Sequence, residues 1–376
     1  MLTASVIDAM NQPSDKAVCL PGWTYAKPEF LREEFARIFR RSWVNIGYGY
    51  QVATPGQILP ITVADQPLLL VRDLQGRIRV FHNVCRHRGS LLVGESDPRT
   101  VRAITCPYHA WSFALDGRCL MAPCFHRGEQ RNFRPGPNDD FNLIEVRSQV
   151  WLDTVFVDLS GEAPPLEETI GPLAAHWNTA EIAPLDHVTT WEGTIHANWK
   201  LVIENFLDTY HSAFVHPQLG GITPHIAHER VRLSPDIVGQ RSVDAAITKP
   251  RSGPIPTIPP LEKALGADDE TYWIYPNTLI FAQRSFLSIR TILPVDVATT
   301  REWNAIYVSP EVSAGKFGPE RQKMKEAIDL VNVQDVGILE RLQATRSSMA
   351  ADRGRFAPEW DFMSHQFQTR IAEMLR

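Results

Sequence analysis

At 376 residues the chain exceeds the usual size of one hydrophobic core, so two domains are expected. Its 44% hydrophobic and 22% charged residues are those of an ordinary globular protein, and a net charge of −5 lacks the basic footprint of nucleic-acid binding. Apolar runs stay far below the roughly eighteen residues of a membrane span, no basic start leads into an apolar stretch, and the five cysteines are an odd number. The expectation is a cytoplasmic protein with no membrane or nucleic-acid partner and no disulfide scaffold. Twelve histidines and ten tryptophans point instead to metal ligation and aromatic-lined pockets.

Residues 1–27 read as a loosely structured arm. From Pro28 to Trp43, Phe30, Leu31, Phe35, Ile38, Phe39 and Trp43 recur at helical spacing, and Pro28 suits a first turn. Residues 1–43 are therefore expected to be an arm and a helix packing on the C-terminal domain. From Val44 the texture changes to short β-type runs with hairpin signals at Asp73-Leu74-Gln75-Gly76 and Asp116-Gly117, a small antiparallel domain over 44–160. Two of its loops carry Cys85-Arg86-His87-Arg88-Gly89 and Cys106-Pro107-Tyr108-His109. Paired Cys and His of this kind bind zinc, or a [2Fe–2S] cluster with His on one iron and Cys on the other. Gly89 allows a tight turn and Pro107 stiffens the second loop, on a β scaffold rather than a zinc-finger one. Cys119 and Cys124 are expected to be packing cysteines, and Cys19 to be incidental.

The region 161–376 alternates strands and helices. The stretch NWKLVIENFLDTYHSAFVHP, Asn198 to Pro217, is apolar yet carries Glu204, Asp208, His211 and His216. On a helix Glu204, Asp208 and His211 form one stripe, and a charge there needs a partner or a metal. His216 lies about 140° round from His211, but Pro217 forces the chain out of the helix, which is expected to end between Ser212 and Val215 and to let His216 swing back. Residues 218–270 are proline-rich with few periodic runs, and read as a functional cover or mobile loop. Strands resume at TYWIY, TLIFAQ, FLSIRTILPVD and REWNAIYVSP. A helix from about Pro319 to Thr345 shows an apolar stripe of Met324, Ile328, Val331, Ile338 and Leu342 with Asp335 in its middle. A carboxylate there calls for a cation. Asp329 lies off the stripe, and Glu340 is expected in solvent. His211, His216 and Asp335 make a two-histidine, one-carboxylate set, used by non-haem Fe(II) oxygenases and by zinc hydrolases.

CRHRG with CPYHAW resembles the Rieske iron–sulfur domain. Ser90 and Tyr108 stand where respiratory Rieske proteins carry an extra cysteine pair, so the likeness is to the oxygenase type. With ENFLDTYH…H downstream, residues 28–376 resemble the α subunit of the Rieske non-haem iron oxygenases. The NWK lead-in and the HP after the second histidine are similar to the α-only branch of carnitine, choline and glycine-betaine monooxygenases. The fold implied is α+β: an N-terminal antiparallel β Rieske [2Fe–2S] domain (44–160), then a catalytic domain (161–376) with a central antiparallel sheet flanked by helices, helix-grip-like.

The resemblance implies Cys85 and Cys106 on one cluster iron and His87 and His109 on the other, with His211, His216 and Asp335 on a mononuclear Fe(II). It also implies O₂ as cosubstrate and electrons from NAD(P)H through a separate flavin and iron–sulfur reductase. The family's assembly is a homotrimer with head-to-tail Rieske-to-iron contacts, in which Asp208 would bridge His211 and the partner subunit's His109. The activity implied is hydroxylation of a small organic substrate, by monooxygenation or oxidative N-demethylation of a quaternary ammonium compound. The alternatives are aromatic ring dihydroxylation or aromatic O-demethylation, with a bare Rieske electron carrier or a zinc protein as non-enzyme readings. Trp273, Tyr275, Phe281, Phe286, Trp303 and Tyr307 are the candidate substrate-pocket rings, by cation–π attraction or stacking.

Overall fold

The computed structural model describes the whole chain except residues 1, 95–97, 127–131, 137–138, 183, 220–225 and 245–254. It divides into two compact units, one formed by Met1–Ser42 with Pro164–Arg376 and the other by Trp43–Ala163.

Among the described residues of the Trp43–Ala163 unit every strand pairing is antiparallel. One four-stranded sheet runs Ile78–His82, Gln66–Arg72, Gln57–Val63, Arg99–Thr100, and another runs Ile104–Thr105, Ser112–Phe113, Cys119–Pro123, Asn132–Phe133. A three-stranded sheet orders Trp43–Tyr48, Thr154–Asp158 and Arg147–Trp151. Ile58, Leu69, Phe81, Trp111 and Phe113 share one core with Cys85, Cys106 and Cys119. Cys119 is packed as expected, whereas Cys124 is exposed, at a left-handed φ of 54° that turns its side chain out.

The second unit is built on a seven-stranded antiparallel sheet. Its strands are β1 (Asp186–Ile195), β2 (Ile226–Ser234), β3 (Ile237–Asp244), β4 (Asp269–Ile274), β5 (Thr278–Gln283), β6 (Phe286–Asp296) and β7 (Thr299–Val308). The spatial order is β1-β7-β6-β5-β4-β3-β2. Four helices matter to the site: α1 (Trp199–Leu207), α2 (Ser212–Val215), α3 (Gly318–Thr345) and α4 (Phe362–Met374). The stretch 218–270 therefore holds two sheet strands and a helix, Pro259–Leu265, rather than one long cover. Within it, residues 220–225 and 245–254 lie outside the described residues. The polar hairpin β2–β3 escaped the apolar-run criterion because its pairing rests on backbone hydrogen bonds over a lightly apolar face.

The N-terminal arm is more ordered than its composition predicts. Ala4–Met10 is helical, and Met10, Ala17 and Leu20 are buried. The following helix, Pro28–Glu34, continues through a wider turn at Phe35–Phe39 and buries Phe30, Leu31, Phe35, Ile38 and Phe39. Glu34 goes down with them and is met by α1. Lys200 Nζ donates to Glu34 Oε1 at 2.6 Å and to Thr24 O at 3.1 Å, and Trp199 Nε1 donates to Glu34 Oε2 at 2.8 Å. Both ions are fully buried, a state tolerated only when each is paired and hydrogen-bonded. That contact anchors the helix which leads into the candidate site.

Candidate metal centres

Helix α1 starts where the Asn198 side chain accepts the Lys200 N–H at 3.1 Å, a conventional N-cap. It ends earlier than its periodicity implies. Asp208 is extended (φ −87°, ψ 110°), and its Oδ1 accepts the Tyr210 N–H at 2.6 Å. That side-chain turn competes with the helix and breaks it. Four residues, Ser212–Val215, then re-form a turn of helix, and His216 leaves it at φ −116° before Pro217. The continuous stripe of Glu204, Asp208 and His211 is thus replaced by a break. The Asx turn still brings Asp208 Oδ2 to 3.4 Å from His211 Nδ1.

Glu204, a turn earlier, faces away from the histidines. It accepts the Tyr25 hydroxyl proton at 2.6 Å, and burial pushes its carboxyl up to about 7 against the pull of nearby Arg346. It is neither a ligand nor a contact of one.

Across from the histidines, α3 buries Asn332, Asp335 and Leu339. The buried face is rotated from the expected stripe: Met324, Ile328, Val331 and Ile338 are half-buried, and Leu342 is 37% exposed. Asp335 is nevertheless on it. Arg290 of β6 holds this part of α3, donating to Asn332 Oδ1 at 2.9 Å and to Glu302 Oε1 of β7 at 2.5 Å. Asp329 pairs with Lys325 on the outer face, and Glu340 is exposed.

Asp335 Oδ1 lies 3.1 Å from His216 Nε2 and 3.4 Å from His211 Nε2. One ligand atom from each of the three residues falls within 4.8 Å of the others. Oδ1 is buried and has no hydrogen-bond partner among the described residues, as is His211 Nδ1. Two imidazole lone pairs and a carboxylate oxygen converging this way need positive charge between them, and they take it as protons when no cation is there. Burial disfavours charge at each, yet contacts with Asp208 and Asp335 push His211 up to about 9. Burial likewise opposes Asp335, but His211, His216 and Asn205 hold its carboxyl far below the usual range. A divalent ion would replace those protons. The donor set fits a mononuclear metal with open positions.

A narrow cavity opens beside Asp335, lined by Trp191 of β1, Asn205 and Phe206 of α1, Arg290, Glu302 and Asn332 among others. None of the six aromatic pocket candidates lines it. Trp303 and Tyr307 alternate with Glu302 on β7 and so point to the opposite face of the sheet. Trp273 packs on Tyr275 and on Phe367 of α4, with centroids at 5.9 and 5.1 Å. Phe281 and Phe286 meet each other at 5.9 Å, and Phe286 joins a cluster around Val308 and Val312. The cavity rings Trp191 and Phe206 went unselected, although Phe206 sits one residue beyond Asn205 in the metal-site motif.

In the other unit the two Cys/His loops have one backbone plan. Cys85 N donates to Ser90 O at 2.8 Å and Gly89 N to Cys85 O at 3.0 Å; Cys106 N donates to Trp111 O at 2.8 Å and Ala110 N to Cys106 O at 3.1 Å. Each turn needs a left-handed residue four places after its cysteine, Gly89 (φ 71°) in one and Ala110 (φ 56°) in the other. The cysteines are buried, and the amides of His87 and Arg88 point at one sulfur and those of Tyr108 and His109 at the other. His87 and His109 meet at 4.7 Å, and His87 stacks on Trp111 at 5.0 Å. Adjacent sulfurs ringed by N–H donors, with imidazoles at the rim, fit a thiolate- and imidazole-held cluster.

Known proteins match both parts of the chain. Residues 182–376 match the family model "Ring hydroxylating alpha subunit (catalytic domain)", and residues 42–139 match "Rieske [2Fe-2S] domain". The carnitine monooxygenase oxygenase subunit of Escherichia coli (strain K12) is 25% identical over 334 residues, covering 87% of this chain and 84% of that protein. A quaternary ammonium Rieske monooxygenase solved with L-carnitine superposes with a TM-score of 0.77 at 19% identity, over 98% of this chain and 99% of that one. Naphthalene 1,2-dioxygenase from Rhodococcus sp., bound to indole, reaches 0.82 at 17% identity, over 100% of this chain and 99% of the other.

Proposed function

The chain belongs to the ring-hydroxylating alpha-subunit family, and on that premise we propose that it is an oxygenase component hydroxylating a small quaternary ammonium compound at a carbon attached to nitrogen. The convergence of His211, His216 and Asp335 on one point carries the reading. A [2Fe–2S] group in the Cys85/His87/Cys106/His109 loops supplies single electrons, and Fe(II) at the other site supplies O₂ activation. A zinc hydrolase has no use for an electron-transfer domain, which favours redox chemistry at the second site.

The residues of the chain divide the remaining work. His211, His216 and Asp335 would hold the metal, while the Arg290–Asn332 contact keeps α3 in place beneath Asp335. Asp208 touches His211 Nδ1 from the side away from Asp335, where it can also accept a hydrogen bond from a cluster histidine of another copy. The assembly proposed is a head-to-tail homotrimer in the cytoplasm, fed by a flavin and iron–sulfur reductase that draws on NAD(P)H.

Support for the substrate class comes from sequence likeness to a carnitine monooxygenase subunit across 87% of the chain. Likeness of fold does not separate it from an aromatic substrate, since the naphthalene dioxygenase superposes as well. In the cavity Arg290 already occupies the Glu302 carboxylate and the face of the Phe206 ring, so the sequence likeness alone carries the substrate class. Hydroxylation next to a quaternary nitrogen gives a carbinolamine that collapses to an amine and a carbonyl compound; an aromatic substrate would give a ring diol. A screen of substrate-dependent oxygen uptake over betaines, carnitine, choline and aromatic acids, with a surrogate reductase, tests this. Uptake with an N-methyl compound and release of formaldehyde or a free amine is expected. Uptake confined to aromatic acids would reject the substrate class.

A further inference from the structure

His216 is flanked on both ring nitrogens by two consecutive residues of one helix. Asp335 Oδ1 lies 3.1 Å from Nε2, and Gln334 Oε1 lies 2.9 Å from Nδ1. Gln218, two residues after His216, closes the arrangement. Its Nε2 donates to Gln334 Oε1 at 2.8 Å, and its Oε1 accepts from Gln334 Nε2 at 3.2 Å. We infer that Gln334 is a positioning residue for the metal site, fixing the tautomer and ring plane of His216 through its amide oxygen, with Gln218 holding that amide. This rests on the metal reading given above.

The chemistry follows from the imidazole itself. A neutral imidazole carries one N–H, so a carbonyl oxygen facing Nδ1 places the proton there and leaves the lone pair on Nε2. Nε2 is the atom that faces Asp335 and, with it, the point where the three ligand residues converge. The opposite tautomer would aim a hydrogen into that point and block a cation. Metal-binding histidines commonly donate their second N–H to such an acceptor, and its loss lowers metal affinity.

The two histidines are served differently. His211 has a carboxylate, Asp208, 3.4 Å from its Nδ1, whereas His216 has a neutral amide. The acceptor of His216 thus comes from the helix that also carries Asp335. Gln334 is half-buried and Gln218 exposed, so neither is part of the hydrophobic core whose loss unfolds a domain.

The experiment measures anaerobic Fe(II) affinity, by competition with a chelator, on the full chain with its cluster intact. Circular dichroism and the visible cluster spectrum report that the fold survives. Q334L is expected to bind Fe(II) about 10- to 100-fold more weakly than the parent. Q334E, which still presents an acceptor to Nδ1, is expected to bind at least as tightly as the parent, and Q218A to lose less than Q334L. Should Q334L fail to fold, Q334A removes the same acceptor at lower apolar exposure. Parent-like affinity in Q334L or Q334A, or equal weakness in Q334E, overturns the positioning role while leaving the oxygenase reading standing. Failure of the parent chain to bind Fe(II) at all overturns both.

Discussion

Asp208 lies 3.4 Å from His211 Nδ1, on the opposite edge of the ring from Asp335. One imidazole thus has a candidate ligand partner on one side and a carboxylate free for a second hydrogen bond on the other. Removing that carboxylate should uncouple the two metal centres even when both are filled. Asp208→Ala, loaded with excess Fe(II) to offset the weaker binding expected when His211 loses its acceptor, should keep its visible spectrum and lose about 100-fold in reductase-driven turnover. Asp208→Asn, which still accepts the Tyr210 N–H and so keeps the turn, separates wiring from folding. Normal NADH-coupled turnover in Asp208→Asn would remove the carboxylate's bridging role.

The two centres should be separable by mutation because their ligands sit in different units. His211→Ala and Asp335→Ala are expected to retain the cluster colour and to lose about one iron per chain by metal analysis. Cys85→Ala should do the reverse, losing the colour and retaining mononuclear iron. Full iron occupancy in Asp335→Ala would count against it as a ligand.

The buried pair Lys200–Glu34 ties the helix before the site to the N-terminal arm at 2.6 Å. Cutting one partner leaves a naked buried charge, so Lys200→Met is expected to cost about 3–5 kcal/mol in urea denaturation. The double variant Glu34→Leu/Lys200→Met removes both charges and should recover most of that loss. An additive double variant would show that the pair is not coupled.

Glu204 predicts a pH dependence of stability. Its folded-state pKa of about 7 is raised above an ordinary 4.5, chiefly by burial. The folded chain therefore holds this proton more strongly than the unfolded one. The stability this contributes is complete below about pH 4.5 and is lost as pH rises through about 7. Glu204→Gln carries no such proton and still accepts from Tyr25. Its melting temperature is expected to match the parent at pH 4.5 and to exceed it by about 3 °C at pH 8. A constant offset at both pH values would contradict the buried, uncharged carboxyl.

Much of the site was legible because its signals are local. The Cys/His loops are short repeated motifs, the proline after His216 forces the chain to turn, and Asp335 is a carboxylate on a largely apolar helix face. Three things were not. The helix break at Asp208 depends on a side-chain turn to Tyr210 that competes with an otherwise good helical pattern. Strand alternation tells which rings share a face but not which face looks toward the metal, so Trp303 and Tyr307 were placed in a pocket they point away from. Gln334 carries no charge or apolar signal of its own, and only the distance to His216 Nδ1 reveals it.

The most direct test of the two-centre oxygenase couples oxygen to product. The iron-loaded chain, a surrogate reductase and NADH are supplied with a quaternary ammonium substrate, and oxygen uptake is recorded against the amine and carbonyl fragments formed. Close to one of each fragment per O₂ consumed is expected, and neither in Asp335→Ala. Oxygen uptake indifferent to every quaternary ammonium compound, or product formation that persists in Asp335→Ala, would contradict the two-centre oxygenase.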